Sequence, residues 1–224
     1  MKTIESIDQK EALRYLGYVG NKPDENIQKI LNECESNVLD IIDPRYVYKC
    51  FDIINNQDKI VLDNCKLELI GNDIVNHLKG CTKVILMCAT LSINIDRFIR
   101  VTQITDMTKA IIIDSLASVA IEKICDNIQV DIMEEFRGYF QTYRYSPGYG
   151  DFPIEIQKDF LSALDAPKKI GLTSTDGCIL TPKKSVTAVI GLSETQLRTE
   201  KRGCQSCNMK DTCIYREKGE RCGF

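Results

Sequence analysis

The sequence lacks an excess of basic residues, since 29 Lys and Arg stand against 32 Asp and Glu and the net charge is −3 at pH 7. This balance gives no electrostatic reason to expect nucleic acid or an anionic membrane as a partner. The longest apolar runs, "KVILMCATLSI" and "KAIIIDSLASVAI", are too short or too interrupted to span a bilayer. The N-terminal "MKTIESIDQKEALRYLGY" has no apolar core of signal-peptide length, so we expect a cytoplasmic protein.

Cysteine, in contrast, is abundant, with eleven residues in 224. Seven are dispersed through apolar segments, and we interpret them as small buried hydrophobic residues in a reducing compartment: Cys34, Cys50, Cys65, Cys81, Cys88, Cys125 and Cys178. The other four lie together at the C-terminus and are considered separately below.

Apolar periodicity predicts an α+β fold. Helices are expected at 8–18, 24–39, 71–80 (capped by Asn72 or Asp73), 93–135 with a break near Thr105, and from Pro153 to a stop at Pro167. Strands are expected at 46–54, 59–63, 66–70, 82–91, 168–175, 178–185 and 186–193. Because the strands gather in two places, we expect a mixed or antiparallel twisted sheet with flanking helices.

A composition change near Ser193 predicts the domain organisation. Residues 1–193 read as one domain, in which about the first 80 form a lead-in of helices and strands. Residues 194–224 are polar, charged and rich in cysteine, so we expect an appendage there.

The segment "TYRYSPGYGDFP", residues 142–153, concentrates aromatic rings around a turn. Pro147 and Gly148 occupy the central positions of an expected type II turn, where the third residue needs a positive φ. Arg144 offers a planar fork suited to a carboxylate or phosphate. On these residues alone two interpretations stay open, a turn packed on an aromatic core and a small-molecule site.

The spacing R-x-x-x-G-Y, from Arg144 to Tyr149, resembles the S-adenosylmethionine-binding motif of the activation (reactivation) domain of cobalamin-dependent methionine synthase. Three further segments are similar to that family in the same order. They are "KVILMCATLSINIDRFIR", the D-x-L-A-x-x-x-x-E helix in "DSLASVAIEKI", and "PIEIQKDFLSALDAPKKIGLTSTDGCILTPKKSVTAVIGLS". The resemblance covers roughly residues 80 to 193.

The resemblance implies a protein that binds S-adenosylmethionine and supports reductive methylation of cob(II)alamin to methylcobalamin. Catalysis would be positioning of the methyl donor, so no side chain is assigned a catalytic role. The residues implied in ligand binding are Arg144 for the carboxylate, Ser146, Gly148 and Tyr149 around the turn, and Glu122 and Asp114 on the preceding helix. The implied partners are the cobalamin-binding module of methionine synthase and an electron donor such as a flavodoxin or ferredoxin.

Two departures from the family pattern shape this expectation. No aromatic residue follows the last matched strand in "GLSETQLRTEKRGC", where the family has a tyrosine. The only histidine, His77, supplies H-x-x-G of the cobalamin-binding signature D-x-H-x-x-G, but Val75 stands in place of the aspartate. We therefore interpret His77 as a surface or capping residue, and the chain as a free-standing activation protein whose cobalamin is carried by another polypeptide.

The C-terminal "GCQSCNMKDTCIYREKGERCGF" places Cys204, Cys207, Cys213 and Cys222 in the spacing C-x2-C-x5-C-x8-C. Four thiolates can hold a [4Fe-4S] cluster or tetrahedral zinc, and unmetallated or oxidised thiols remain an alternative. The C-x3-C-x2-C pattern of radical enzymes is absent. A metal-binding electron-transfer or interaction protein is thus the second functional hypothesis. A small-molecule methyltransferase is disfavoured, because no Rossmann glycine fingerprint follows a strand.

Overall fold

The structure is a computed structural model that describes residues 4–18, 23–55 and 58–197 together with Thr212. Its helices, in chain order, are α1 (Gln9–Tyr15), α2 (Glu25–Ile41), α3 (Asn72–His77), α4 (Ile93–Thr105), α5 (Met107–Glu135), α6 (Gln157–Ala163) and α7 (Ala166–Ile170). Its strands are β1 (Arg45–Asn55), β2 (Lys59–Leu62), β3 (Glu68–Ile70), β4 (Lys83–Thr90), β5 (Phe140–Gln141), β6 (Thr173–Ser174), β7 (Leu180–Thr181) and β8 (Ser185–Ser193). A 3-10 turn, Ile154–Ile156, precedes α6.

The strands form a six-stranded sheet in the order β3-β2-β1-β4-β8-β5 and a separate β6-β7 pair. Each neighbouring pair is antiparallel, with Val47 opposite Cys88 between β1 and β4, and Cys88 opposite Thr187 between β4 and β8. The predicted α+β class with flanking helices is therefore confirmed. Of the two predicted alternatives, a mixed or an antiparallel sheet, the structure has the antiparallel one.

Both faces of the central strand β4 are buried, which explains its unbroken apolar sequence. Ile85, Met87 and Ala89 pack with α2, α4 and α5 on one face of the sheet. The alternate residues, including Leu86 and Cys88, pack with α3, α6 and α7 on the other face. This alternation follows from the two-residue period of a strand.

Asp106 explains why the predicted helix from 93 to 135 divides in two. Its backbone is extended, its N–H donates to Thr102 at the end of α4, and its side chain accepts from the Lys109 N–H at 3.0 Å to cap α5. The break predicted near Thr105 is confirmed.

The region after Pro153 differs from the prediction. Pro167 lies in the first turn of α7 instead of ending a helix, a position that proline tolerates because its missing N–H has no partner there. Residues 168–170 are consequently helical, and the predicted strands at 168–175 and 178–185 shrink to the two-residue strands β6 and β7.

Candidate functional site

The turn predicted at Ser146–Tyr149 is present. The Tyr149 N–H donates to the Ser146 carbonyl at 3.2 Å, and Gly148 has φ of +92°. A second bond, from the Gly148 N–H to the Phe152 carbonyl at 2.8 Å, closes the loop that follows. Pro147 and Gly148 therefore occupy the positions that a type II turn requires.

The residues before the turn are fixed to the sheet. Tyr145 and Val189 of β8 exchange two backbone hydrogen bonds, of 2.9 and 2.8 Å. The buried Thr142 donates its N–H to the Gly191 carbonyl at 3.0 Å and accepts from the Gly191 N–H at 2.8 Å through its hydroxyl. Arg144 consequently stands on a short extended segment whose two ends are bonded to β8.

A reciprocal pair of aspartates holds the far side of the turn against α3. The Asp151 carboxylate accepts from the N–H groups of Asn72 at 2.7 Å and Asp73 at 2.9 Å, and Asp73 accepts from the Asp151 N–H at 3.1 Å. The bond from the Asp73 N–H holds the pKa of Asp151 below its ordinary value. The prediction that Asn72 or Asp73 caps this helix was wrong, because the cap comes from Asp151, distant in sequence.

Arg144 reaches from the segment before the turn to α5. Its guanidinium donates to Asp126 at 2.8 Å, to Glu122 at 3.0 Å and to Gln129 at 3.1 Å. Burial lowers the pKa of Arg144, but the Asp126 hydrogen bond and the neighbouring charges outweigh it and raise that pKa overall. The Arg144 side chain is 16% exposed, whereas Glu122 and Asp126 are 50% and 60% exposed. The arrangement is an anchored cation bordered by two accessible carboxylates.

Asp126 and Gln129 were not identified from the sequence. They follow Glu122 by four and seven residues, so helical spacing puts all three on one side of α5. Gln129 also donates to the Thr142 carbonyl at 3.3 Å, which ties α5 to the segment that carries Arg144. Helical spacing from Glu122 was the signal that could have found both.

The aromatic residues of the motif divide between core and surface. Phe152 is buried, whereas Tyr149 is 56% exposed beside the turn. His77 is partly buried in the last turn of α3. Its ring centroid lies 4.4 Å from that of Tyr143 and 4.9 Å from that of Tyr145, and its Nε2 lies 3.0 Å from the Tyr143 carbonyl oxygen. Tyr149 is therefore the most exposed of the four aromatic rings in residues 142–153.

Asp114 lies about two helical turns before Glu122 and has a different partner. Lys184, next to β8, donates to the Asp114 carboxylate at 2.9 Å and to the Ser118 hydroxyl at 2.8 Å. We call Asp114, Ser118, Glu122 and Asp126, spaced four residues apart, the polar stripe of α5. Of the two helix acids predicted for the site, the structure brings Glu122 to Arg144 and brings Asp114 to Lys184.

A cavity of about 210 Å³ opens at the Asp114 end of this stripe. It lies between α4, α5 and the Lys183–Lys184 turn, and its lining residues are Asp96, Ile99, Arg100, Gln103, Asp114, Lys183 and Lys184. Pockets for drug-sized ligands have volumes of about 300–1,000 Å³, so this cavity is too small for a ligand of that size.

The four cysteines of the predicted metal site, Cys204, Cys207, Cys213 and Cys222, lie outside the described residues. Within the described part of the chain, no group of three or more His, Cys, Asp or Glu could hold a metal ion. The seven dispersed cysteines are free thiols, of which Cys34, Cys81, Cys88 and Cys125 are buried and the other three partly buried. Burial raises the pKa of both Cys88 and Cys125 to about 12, which makes them unreactive as thiolates.

Among the residues that the structure describes, no helix is long and apolar enough to cross a membrane. Neither a protein-family model nor a curated protein matches the sequence. Among solved structures, the crystal structure of the MetH reactivation domain bound to AdoHcy superimposes with a TM-score of 0.65 at 14% sequence identity. The match covers 96% of this chain and 82% of that one. At this identity the comparison shows a shared fold.

Proposed function

We propose that this chain binds S-adenosylmethionine and supports the reductive methylation of cob(II)alamin, thereby reactivating a cobalamin-dependent methionine synthase carried on another chain. The observation that carries the proposal is the 3.0 Å contact between Arg144 and Glu122. These two residues are 22 positions apart in sequence, and the resemblance implicates both in ligand binding. The solved neighbour has AdoHcy bound, and AdoHcy is the demethylated product of the same ligand, which supports the choice of ligand.

The residues around Arg144 fit the ligand chemically. Its guanidinium would bind the ligand carboxylate, and the half-exposed Glu122 would accept hydrogen bonds from the amino or ribose groups. Gly148 allows the main chain to approach the ligand, with Ser146 at the start of the turn and the exposed ring of Tyr149 beside it. Asp114 forms an ion pair with Lys184 at the other end of the polar stripe, so its contribution to ligand binding would be limited to that end.

The reaction combines an electron and a methyl group. One electron from a donor such as a flavodoxin or ferredoxin and the methyl group of S-adenosylmethionine are added to cob(II)alamin, and the carbon–sulfur bond breaks with its electron pair left on sulfur. This chain would supply orientation, since holding a donor methyl group in line with its acceptor removes much of the entropic barrier. The reaction would take place in the cytoplasm, with S-adenosylmethionine bound to residues 1–193 and cobalamin bound to the module of the partner chain.

The second candidate function belongs to residues 194–224. This appendage would bind an iron–sulfur cluster or zinc, and it would transfer electrons or contact a partner protein. The spacing of Cys204, Cys207, Cys213 and Cys222 favours it. Iron, acid-labile sulfide and zinc measured on anaerobically purified protein separate the alternatives. Zinc without sulfide would eliminate the cluster, and the absence of all three would eliminate the metal site.

Calorimetric titration with S-adenosylmethionine tests the leading function, followed by an assay of methyl transfer. The purified chain, a cobalamin-loaded partner module, S-adenosylmethionine and a low-potential one-electron reductant are mixed without oxygen, and the conversion of cob(II)alamin is followed by absorption. We expect saturable binding and methylcobalamin formation that depends on this chain. A wild-type protein that binds no S-adenosylmethionine would refute the proposal.

A further inference from the structure

The ionic cluster around Arg144 carries more negative than positive charge. One guanidinium meets two carboxylates, those of Glu122 at 3.0 Å and Asp126 at 2.8 Å. Each carboxylate has two oxygens, and only one oxygen of each contacts Arg144 in these ion pairs. Because both side chains are at least half exposed to solvent, both retain acceptor capacity for a ligand that approaches from the solvent.

Two other ion pairs lie on α5 or on the helix that packs against it. On α1, which packs against α5, Arg14 is bound by Glu11 at 2.5 and 2.8 Å. Further along the polar stripe, Asp114 is bound by Lys184 at 2.9 Å. Each of these pairs brings one positive and one negative charge, whereas the contacts of Arg144 with Glu122 and Asp126 bring one positive and two negative charges.

The proposed ligand has one more positive charge than its product. S-adenosylmethionine has a sulfonium, an ammonium and a carboxylate group, and thus one net positive charge. After methyl transfer the sulfur is neutral and the molecule has no net charge. A site with one surplus negative charge therefore attracts the donor more strongly than the product.

We infer that Asp126 is a specificity-determining residue that makes the site prefer the cationic methyl donor over its neutral product. This inference rests on the proposed function. Asp126 accepts from the ligand ammonium when Arg144 turns toward the ligand carboxylate, and its charge acts on the sulfonium from the amino-acid end. Product release is favoured because the electrostatic attraction falls once the methyl group has left.

The experiment compares affinities for S-adenosylmethionine and S-adenosylhomocysteine, measured by calorimetry at low salt. The proteins are wild type, Asp126→Asn, Asp126→Glu and Glu134→Gln. Glu134 is an exposed acid on the same helix about two turns further on, so its variant loses the same charge away from the site. Unfolding temperatures of all four proteins verify that each remains folded.

We expect Asp126→Asn to lower the ratio of donor affinity to product affinity by about three- to tenfold, the range for one half-exposed charge near the ligand. Asp126→Glu and Glu134→Gln should keep the wild-type ratio, and added salt should lower it in wild type but less in Asp126→Asn. Equal weakening of both ligands by Asp126→Asn would mean that Asp126 only positions Arg144 and would overturn the inference. An unchanged ratio would overturn it as well. If wild type bound neither ligand, the proposed function itself would fail, and the inference with it.

Discussion

At one end of the polar stripe of α5, Lys184 meets a single carboxylate, and about two turns further on Arg144 meets two. The Lys184 amino group also binds the Ser118 hydroxyl and the Asp114 carbonyl, so its three N–H donors all have acceptors on one helix. Charge there is balanced and donors are satisfied, as in a contact that joins β8 to α5. The Arg144 end has two carboxylates for one guanidinium, and the proposed ligand would bring a further cation to it.

The contrast between a ligand-binding Arg144 end and a structural Lys184 end would be wrong if Arg144 were not needed for ligand binding. Arg144→Ala removes a charged hydrogen-bond donor and should weaken S-adenosylmethionine binding by about 1.5–3 kcal/mol, measured by calorimetry. Arg137→Ala, an exposed arginine just beyond α5, is the matched control and should bind like wild type. Unchanged affinity of Arg144→Ala would refute the carboxylate assignment.

The turn at the Arg144 end depends on glycine in a way that the Lys184 end does not. Gly150 has φ of +55°, and a Cβ there would lie 1.9 Å from the Asp73 carboxylate and 2.7 Å from the Tyr145 hydroxyl. Gly150→Ala should therefore lower the free energy of unfolding by about 2 kcal/mol, measured by urea denaturation, through the positive φ and the displaced Asp73 bond.

Gly171→Ala is the control for that substitution, because Gly171 has φ of +70° and nothing lies within 4 Å of its Cβ position. It should show only the cost of the backbone conformation, about 1 kcal/mol. If the two variants were equally destabilised, the hydrogen bond from the Asp151 N–H to Asp73 would contribute nothing to the stability of the turn.

A substitution of Lys184 tests the same contrast at the other end of the polar stripe. Lys184→Met should lower the free energy of unfolding by about 1 kcal/mol, a value reduced because Asp114 is 54% exposed to solvent. Affinity for S-adenosylmethionine should stay at the wild-type level, since Lys184 joins β8 to α5 away from Arg144. Lys183→Met, at the exposed neighbouring position, is the control for loss of a charge. A loss of ligand affinity in Lys184→Met alone would show that both ends of the stripe take part in binding.

Local chemistry explains what the sequence could predict. The turn at Ser146–Tyr149 follows from Pro147 and Gly148, and the break between α4 and α5 follows from Asp106 as a cap. The antiparallel order of the sheet was only one of two alternatives, because apolar runs such as β4 predict burial and not the direction of a neighbour.

The parts that sequence reasoning missed depend on contacts between distant residues. Asp151 caps α3 although it lies 79 residues after Asn72 and 78 residues after Asp73. No local sequence pattern predicts that pairing. Pro167 reads equally as a helix stop or a first-turn residue, and the structure shows the second. Helical spacing puts Asp114 about two turns from Glu122, but it does not show that Lys184, 70 residues further along the chain, is the partner of Asp114.

The smallest expected effect concerns pH and the aspartate that holds the turn. The Asp73 N–H lowers the pKa of Asp151 below its ordinary value of 3.8 in the folded protein. A carboxyl group with a depressed folded-state pKa contributes stability above its unfolded pKa, and this contribution disappears as the pH falls through the folded value. The stability advantage of wild type over Asp151→Asn should therefore be present at pH 6 and shrink below about pH 4, measured by urea denaturation. Asp159→Asn, at an exposed position of α6, controls for the loss of a surface carboxylate. An advantage that stayed constant from pH 6 to pH 3 would mean that the charge of Asp151 does not hold the turn against α3.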